Sequence, residues 1–371
     1  MKAILKYTLL VLLLFKLDTF SLIAFGETIG SIASALFFGG IVAYFFLAEK
    51  VKPVIILVVL GVFYHFISAL KYSGPTQEFI ISCIKYFLFV LLISSLAKNT
   101  KKNEIILFLF LGALSILINA VFFSNPFGRY SGFYVNPNTA GAVVLIGYVF
   151  CLSVKNSKLR LLLQFGFIIC GLMTLSRYFI LLLVIITLLS IVYNKHNLIG
   201  AVFGALAMLF VITSGDFKLN TDRFNALQSI FSNDVDTETI TKESRDETWA
   251  LYQKPLLNNL LTGNGYKSFQ GHEYDTVGVQ VGVHNSYLMI LGESGILAFL
   301  TFVYLYVLLI IKSITHFFKH PEYLYLSIVL FTYLLVSHVY FENYIILFFT
   351  IWLYQKLNNT NMANPETTLE S

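Results

Sequence analysis

Charge is scarce in this chain. Only 12% of its 371 residues are Asp, Glu, Lys or Arg, against 57% hydrophobic residues and a mean hydropathy of +0.77. Soluble globular domains carry about twice that charged fraction, so a soluble globular protein is excluded and a polytopic integral membrane protein is indicated. Strict alternation of polar and apolar residues is also missing, which excludes an outer-membrane barrel and leaves helices as the spanning element. Cysteine is down to Cys83, Cys151 and Cys170, all within or at the ends of apolar runs and with no CxxC pairing. Neither a disulfide framework nor a metal site is indicated, and packing roles remain. No internal repeat is visible by eye.

What the chain has in quantity is apolar runs of roughly 17 to 25 residues, the length that crosses the hydrocarbon core as a helix. Twelve are read: 4–25, 28–48, 53–70, 78–97, 104–123, 139–154, 159–175, 177–193, 197–214, 285–311, 323–340 and 342–357. The first resembles a signal peptide, but Lys16 and Asp18 interrupt it and no clear small-residue cleavage site follows, so it is read as an uncleaved span. The expected fold is all-α, a polytopic membrane helical bundle of about 12 transmembrane helices with one large extracytoplasmic loop. Residues 1–214 hold the first nine spans, 215–284 the loop with an amphipathic helix, and 285–357 the last three. Residues 358–371 form a polar, disordered tail in the cytoplasm.

The loops on the even side carry EKVK, AKNTKKNE, VKNSKLR, YNKHN, KSITHFFKHPE and QKLNN, whereas the short odd-side loops hold Lys71, Arg129 and Arg177. The positive-inside rule then puts both termini in the cytoplasm and the polar loop outside. That loop, with its flanks from Gly215 to Asn285, holds ten of the twenty acidic residues and Trp249, one of two tryptophans. Arginine is rare, and four of the five (Arg129, Arg177, Arg223 and Arg245) fall on the outer side, with only Arg160 inside. Topology needs only charge, which lysine supplies; the planar fork of arginine binds phosphate in two-pronged fashion. The cluster therefore points to an anionic ligand outside, against the alternative of chance among few residues.

Four segments carry candidate chemistry. Asn136-Pro137-Asn138-Thr139 opens a span, where Pro137 restrains the residue before it and Asn138 or Thr139 can cap the helix. Ser176-Arg177 sits between two apolar runs with almost no loop, and Arg177 could simply snorkel. Arg245 and Trp249 lie four apart on a surface helix that breaks at Pro255, before the tight turn Gly263-Asn264-Gly265. His284-Asn285-Ser286-Tyr287 enters the tenth span, with Glu293 about two turns deeper, where a carboxyl needs an internal partner or a cavity. Histidine titrates near working pH and can accept a proton from a hydroxyl; the plainer alternative is an interfacial polar residue. Asp234-Val235-Asp236 reads as the metal-binding DxD of nucleotide-sugar transferases, but those donors are cytoplasmic and this loop is expected outside, so the reading is rejected. Lys16, Asp18 and Lys85 lie inside expected spans; Lys85 could neutralise a lipid phosphate or pair within the bundle.

Taken in order, these segments resemble the O-antigen ligase and O-antigen polymerase family of membrane glycosyltransferases. The shared pattern is an NPN-type loop, an SR step, R-x-x-x-W then P and G-x-G-x-x-x-F in the outer loop, and HNSYL leading to E-x-G. Here it falls on Asn136 to Asn138, Ser176-Arg177, Arg245 with Trp249, Pro255, Gly263 to Phe269, His284 to Leu288, and Glu293 to Gly295. After the SR step this chain has Tyr178 and Phe179, where the family commonly has a small residue or Thr and then Gly. The resemblance implies a GT-C-like enzyme of the bacterial cytoplasmic membrane, acting in surface polysaccharide synthesis with neither metal nor other cofactor. Its donor would be a glycan on a polyprenyl diphosphate such as undecaprenyl diphosphate, and its acceptor a glycan, lipid or protein; membrane lipids surround it, and nucleic acid plays no part. Arg177 and Arg245 would grip the diphosphate and His284 would be the candidate base. Arg129, Asn136, Asn138, Ser176, Asn285, Tyr287 and Glu293 are the candidate substrate-binding residues.

Two other classes compete. A lipid-linked oligosaccharide flippase also needs many spans, but it predicts two similar halves and charges along a central cavity, whereas here the distinctive residues share one face. A non-catalytic membrane scaffold would leave the arginines replaceable.

Overall fold

The computed structural model describes residues 1–123, 128–214, 245–271, 277–279 and 281–362. Fifteen α-helices and two 3-10 turns, with no strand, make up the regular structure among the described residues. They are α1 Lys2–Leu14, α2 Leu17–Phe25, α3 Glu27–Leu47, α4 Ile55–Ala69, α5 Thr76–Leu92, α6 Ser94–Asn99, α7 Lys102–Phe122 and α8 Pro137–Cys151. After these come α9 Ser157–Leu172, α10 Arg177–Tyr193, α11 Asn197–Ser214, α12 Arg245–Asn258, α13 Ser286–Thr315, α14 Pro321–Tyr333 and α15 Tyr344–Met362. The 3-10 turns are Gly132–Tyr134 and Tyr340–Glu342.

The starts of the key helices are written locally. Asn136 accepts from the backbone N–H groups of Asn138 and Thr139, with Pro137 at the first helical position of α8. Ser176 caps α10 through the N–H of Phe179, and Asn285 caps α13 through those of Tyr287 and Leu288. Each cap satisfies donors that a helix start leaves unpaired. Helix α8 is central, being buried from Thr139 through Cys151, with α7, α9, α10 and α14 packed around it. Helix α4 runs against α13, and α2 folds back onto α3. Some buried polar groups are paired across the bundle, which offsets the cost of an apolar interior. The indole N–H of Trp352 donates to the carbonyl of Thr100 at 3.1 Å, and the amide of Gln355 to that of Ser94 at 3.1 Å.

Large apolar side chains such as Phe46, Phe66, Leu181 and Leu188 point outward instead. An exposed apolar belt on helices that satisfy their own backbone is what lipid contact demands. Helices α3, α7 and α13 are long and apolar enough to cross a membrane, and α1 with α2 together form a fourth candidate, bent by 60°. Shorter apolar helices include α4, α8 and α10. At 15 residues α4 is about 22 Å long, short of the roughly 30 Å core, so the count of twelve is not reproduced by helix length.

Three expected spans also differ in detail. The first breaks at Lys16, which takes the left-handed φ of +53° between α1 and α2, where a polar Lys16 and Asp18 interrupt the apolar run. The run 78–97 divides at Ile93 into α5 and α6. The run 323–340 stops being helical after Tyr333, because Ser337, His338, Glu342 and Asn343 place polar groups that fold into an irregular segment ending in the second 3-10 turn. The last helix continues to Met362, past the expected tail boundary. Arg223, Asp234, Asp236 and the rest of 215–244 lie outside the described residues, as does 363–371.

Candidate functional site

The chain approaches His284 through a short segment held on both sides. The indole N–H of Trp249, one turn into α12, donates to the carbonyl of Val283 at 3.0 Å, and the Tyr252 hydroxyl to that of Val281 at 2.8 Å. The N–H of Val283 donates to Phe269 at 3.0 Å. On the far side the N–H of Ser286 reaches the carbonyl of Leu334 at 2.7 Å, and its hydroxyl that of Ser337 at 2.6 Å. So clamped, His284 takes a left-handed φ of +49°, a conformation that costs a non-glycine residue energy and needs surrounding contacts to persist. Its exposed ring meets the ring of His338 edge to face, with centroids 4.5 Å apart. Gly282 makes room for that partner: a Cβ there would lie 2.6 Å from His338 Nε2.

The NPN loop and the SR step form a second group. Asn138 Oδ1 accepts from Arg129 Nη2 at 3.2 Å and from the Ser176 hydroxyl at 3.3 Å. Arg129 Nε also donates to the carbonyl of Thr174 at 3.2 Å, and the N–H of Tyr130 to that of Met173 at 3.1 Å. These bonds bring the N-termini of α8 and α10 together. Helix N-termini carry unpaired N–H groups and a partial positive charge, so two of them beside Arg129 form a cationic corner. Arg177 opens α10 there and is exposed, and its side chain has no ion pair or hydrogen bond among the described residues. Tyr178 and Phe179, the two departures from the family pattern, turn inward. The Tyr178 hydroxyl donates to the carbonyl of Val329 at 2.8 Å, and the Phe179 ring fills the space over Gly171.

Both groups rest on the C-terminal turns of α14. Thr139 and Tyr333 share a hydroxyl contact at 3.2 Å on the arginine side, while the Tyr287 hydroxyl donates to the carbonyl of Phe331 at 3.0 Å on the histidine side. The cationic corner and His284 therefore flank one helix end, at the same end of the bundle.

Glu293 lies deeper and has its partners inside the protein. It is fully buried and accepts from the Tyr64 hydroxyl, from the N–H of Phe269 at 3.1 Å and from the Gln270 amide at 3.3 Å. Two residues on, Gly295 at φ +75° and ψ −168° breaks α13. The Gly263-Asn264-Gly265 turn occupies the break: the N–H of Asn264 donates to the carbonyl of Gly292 at 2.7 Å and that of Gly265 to Glu293 at 3.1 Å. Carbonyls freed by a broken helix are thus paired again. The G-x-G and E-x-G motifs are two halves of one joint. Lys71 closes its rim, donating to Asn259, Thr262 and the carbonyl of Gly263 at 2.8 to 3.1 Å.

Arg245 begins α12, the helix whose Trp249 and Tyr252 hold the His284 segment. An apolar groove of about 370 Å³ runs beneath it, lined by Trp249, Tyr252, Leu256, Phe269 and Leu288. His338 went unnoticed in the sequence. The signal was the polar run Ser337-His338 to Glu342-Asn343, which interrupts an apolar stretch that had been divided only at residue 341.

Fold and site together define a class: a membrane protein, all-helical among the described residues, with an arginine and histidine site at one end of the bundle. Residues 161–303, from α9 through the joint in α13, match the family model described as O-antigen ligase, which supports the resemblance to the O-antigen ligase and polymerase family. The matched segment includes Arg177, Arg245, His284 and Glu293, whereas Arg129, Asn136, Asn138 and His338 lie outside it. At family level it supports a membrane glycosyltransferase of the ligase or polymerase type. No curated protein matches the chain significantly.

Proposed function

We propose that the chain transfers a glycan from a polyprenyl diphosphate to an acceptor hydroxyl, on the outer face of a bacterial cytoplasmic membrane, during surface polysaccharide assembly. The observation that carries this reading is the cationic corner of Arg129, Arg177 and two helix N-termini, set across the end of α14 from His284. In this scheme the corner holds the diphosphate, Arg245 is assigned to the same headgroup, and the apolar groove beneath α12 takes the start of the polyprenyl chain. Asn136, Asn138 and Ser176 shape the corner, while Asn285 and Tyr287 shape the approach to His284. Glu293 acts by holding the joint that aims His284.

The acceptor hydroxyl gives its proton to His284 as its oxygen bonds to the anomeric carbon. The bond from that carbon to the diphosphate oxygen breaks, and the polyprenyl diphosphate departs with the electron pair. Charge therefore grows on the diphosphate in the transition state, where guanidinium groups and helix dipoles already in place stabilise it. No metal is required for that role. The lysine-rich even-side loops support a topology of about twelve membrane-crossing segments, with both termini cytoplasmic and the 215–284 loop outside. Whether the acceptor is another lipid-linked unit or a lipid or protein decides between polymerase and ligase.

The test is transfer by the purified full chain from a polyprenyl-diphosphate glycan, with and without a strong chelator. Product formed equally in both arms is the expected result. Loss of product under chelator, restored by a divalent ion, would overturn the metal-free mechanism. A labelled cysteine at Asn233 reached from the cytoplasm would overturn the outer location.

A further inference from the structure

A cavity of about 770 Å³ opens between α2, α3, α5 and the turn at Glu342, a size typical of small-molecule sites. All of its lining residues fall between 18 and 85 or at 342 and 344, outside the segment that matches the family model. The cavity is nonetheless coupled to the site, because Glu342 follows His338 by one short turn and His338 meets His284. Lys267, two residues before Phe269, reaches Glu78 at 2.5 Å and Glu342 at 3.5 Å and fixes that wall against the joint.

The lining is polar in a particular way. Glu27, Ser31, Ser34, Gln77 and Lys85 face the cavity, yet none makes a hydrogen bond or ion pair with another described residue. On α3 the short side chains of Ser31 and Ser34 line the space, while Gly30 lets Leu22 of α2 approach closely. Four carboxylates, on Asp18, Glu27, Glu78 and Glu342, outweigh the lysines at its wall, so an anionic group is disfavoured there. Carboxylates, hydroxyls and an amide with unspent bonding capacity suit a ligand rich in hydroxyls, and Ile81 and Tyr344 supply an apolar side.

We propose that this cavity binds the sugar portion of the acceptor, a neutral or amino-bearing oligosaccharide, and excludes the anionic headgroup of the donor. The assignment rests on the glycan-transfer reading and adds to it a place and a chemistry for the second substrate.

Ser34→Cys, in a full chain whose own cysteines are replaced by Ser at position 83 and Ala at 151 and 170, puts a single thiol on the cavity wall; Ser31→Cys provides a second position if the first is not produced. The probe is the oligosaccharide released by mild acid from the lipid-linked glycan of the cells that make the protein, free of lipid and phosphate. At about four times its Kd it should slow maleimide labelling of that thiol about fivefold, while sugar-free polyprenyl diphosphate leaves the rate unchanged. No protection by the oligosaccharide, or equal protection by polyprenyl diphosphate, overturns the assignment. Glu27→Gln and Lys85→Gln should each raise the acceptor concentration for half-maximal transfer about tenfold with the donor value unmoved, as loss of a hydrogen bond to a charged group would; a change in the donor value instead counts against it. Labelling needs no turnover, so the two readings fail separately: protection without transfer keeps the cavity and removes the transfer reading, and transfer without protection does the reverse.

Discussion

Two polar regions at one end of the bundle carry opposite charge. The corner at the starts of α8 and α10 is cationic, built from Arg129, Arg177 and helix N-termini, and tied by the single acceptor Asn138 Oδ1. The cavity among α2, α3 and α5 is acidic, with carboxylates on three elements and at Glu342. His284 flanks the corner across the end of α14, and His338, whose ring meets it, precedes Glu342 by one short turn. In the transfer proposed above, the donor presents a diphosphate to the corner and the acceptor presents a sugar hydroxyl. On that proposal, separation of sign sorts the donor headgroup from the acceptor sugar before any shape is considered, and His284 takes the proton.

The largest effect that tests this division is expected at the border. A positioned base supplies about 100-fold to 10,000-fold, so His284→Ala should lower the transfer rate by that factor while donor binding survives. His284→Gln should be nearly as poor; a Gln variant with near-normal turnover would reduce His284 to a positioning role. His338→Ala should cost less than either, with a lower maximal rate and unchanged donor saturation, since its ring meets His284 and takes no proton in this scheme.

Next come the cationic residues. Arg177→Lys keeps the charge but loses the two-pronged contact, and loss of one such donor costs about 100-fold to 1,000-fold in rate. Single-turnover transfer at saturating donor is the measurement. Near-normal rates for both Arg177→Lys and Arg245→Lys would remove the corner from the chemistry and with it the contrast in charge.

A smaller effect, on stability, is expected where the joint holds the two regions in register. Gly295 takes a backbone conformation open essentially to glycine, and a Cβ there would strike the carbonyl of Leu261. Gly295→Ala should cost about 3 kcal/mol, seen as lost folded protein in detergent and a lower melting temperature. An Ala variant as stable as the parent would mean that the break in α13 is not needed.

The smallest effect concerns the acidic wall and is linked to pH. Burial lowers the pKa of Lys267, but Glu342 and Glu78 beside it outweigh burial and hold it above its ordinary value. A lysine whose pKa is raised by folding contributes stability in full below its unfolded value, about 10.4, and loses it as pH rises through the folded value. Melting temperature should therefore fall on the alkaline side, above about pH 10.4, and Lys267→Met should flatten that fall while lowering stability at neutral pH. An unchanged alkaline slope in Lys267→Met would show that the ion pair does not fasten the wall.

Much of this was legible in the sequence, and the legible parts share a range. Apolar runs foretold helices, and a capped start after Pro137 was expected, but the cap of α8 is Asn136 and not Asn138 or Thr139, whose own N–H groups are the ones Asn136 pairs, because a cap bonds two or three residues ahead. The order of motifs pointed to the family, and the family match over 161–303 agrees. Helix boundaries were less legible: the run at 323–340 was read through, although Ser337, His338 and Asn343 stop it after Tyr333. An apolar average over a window hides a polar residue that folding will pair.

By itself the sequence determined that the protein is helical and membrane-embedded, and which rare arginines and histidines merit attention, since composition and local bonding decide these. Tertiary structure alone decided the rest. Tyr64 meets Glu293 across 229 residues, Asn138 joins Arg129 to Ser176, His338 turns toward His284, and Lys267 links Glu78 to Glu342. The reason is physical. In an apolar interior a polar side chain must find a partner or remain costly, but the chain does not state which partner, and only the packing of α4, α8, α10, α13 and α14 brings the two within a hydrogen bond's length.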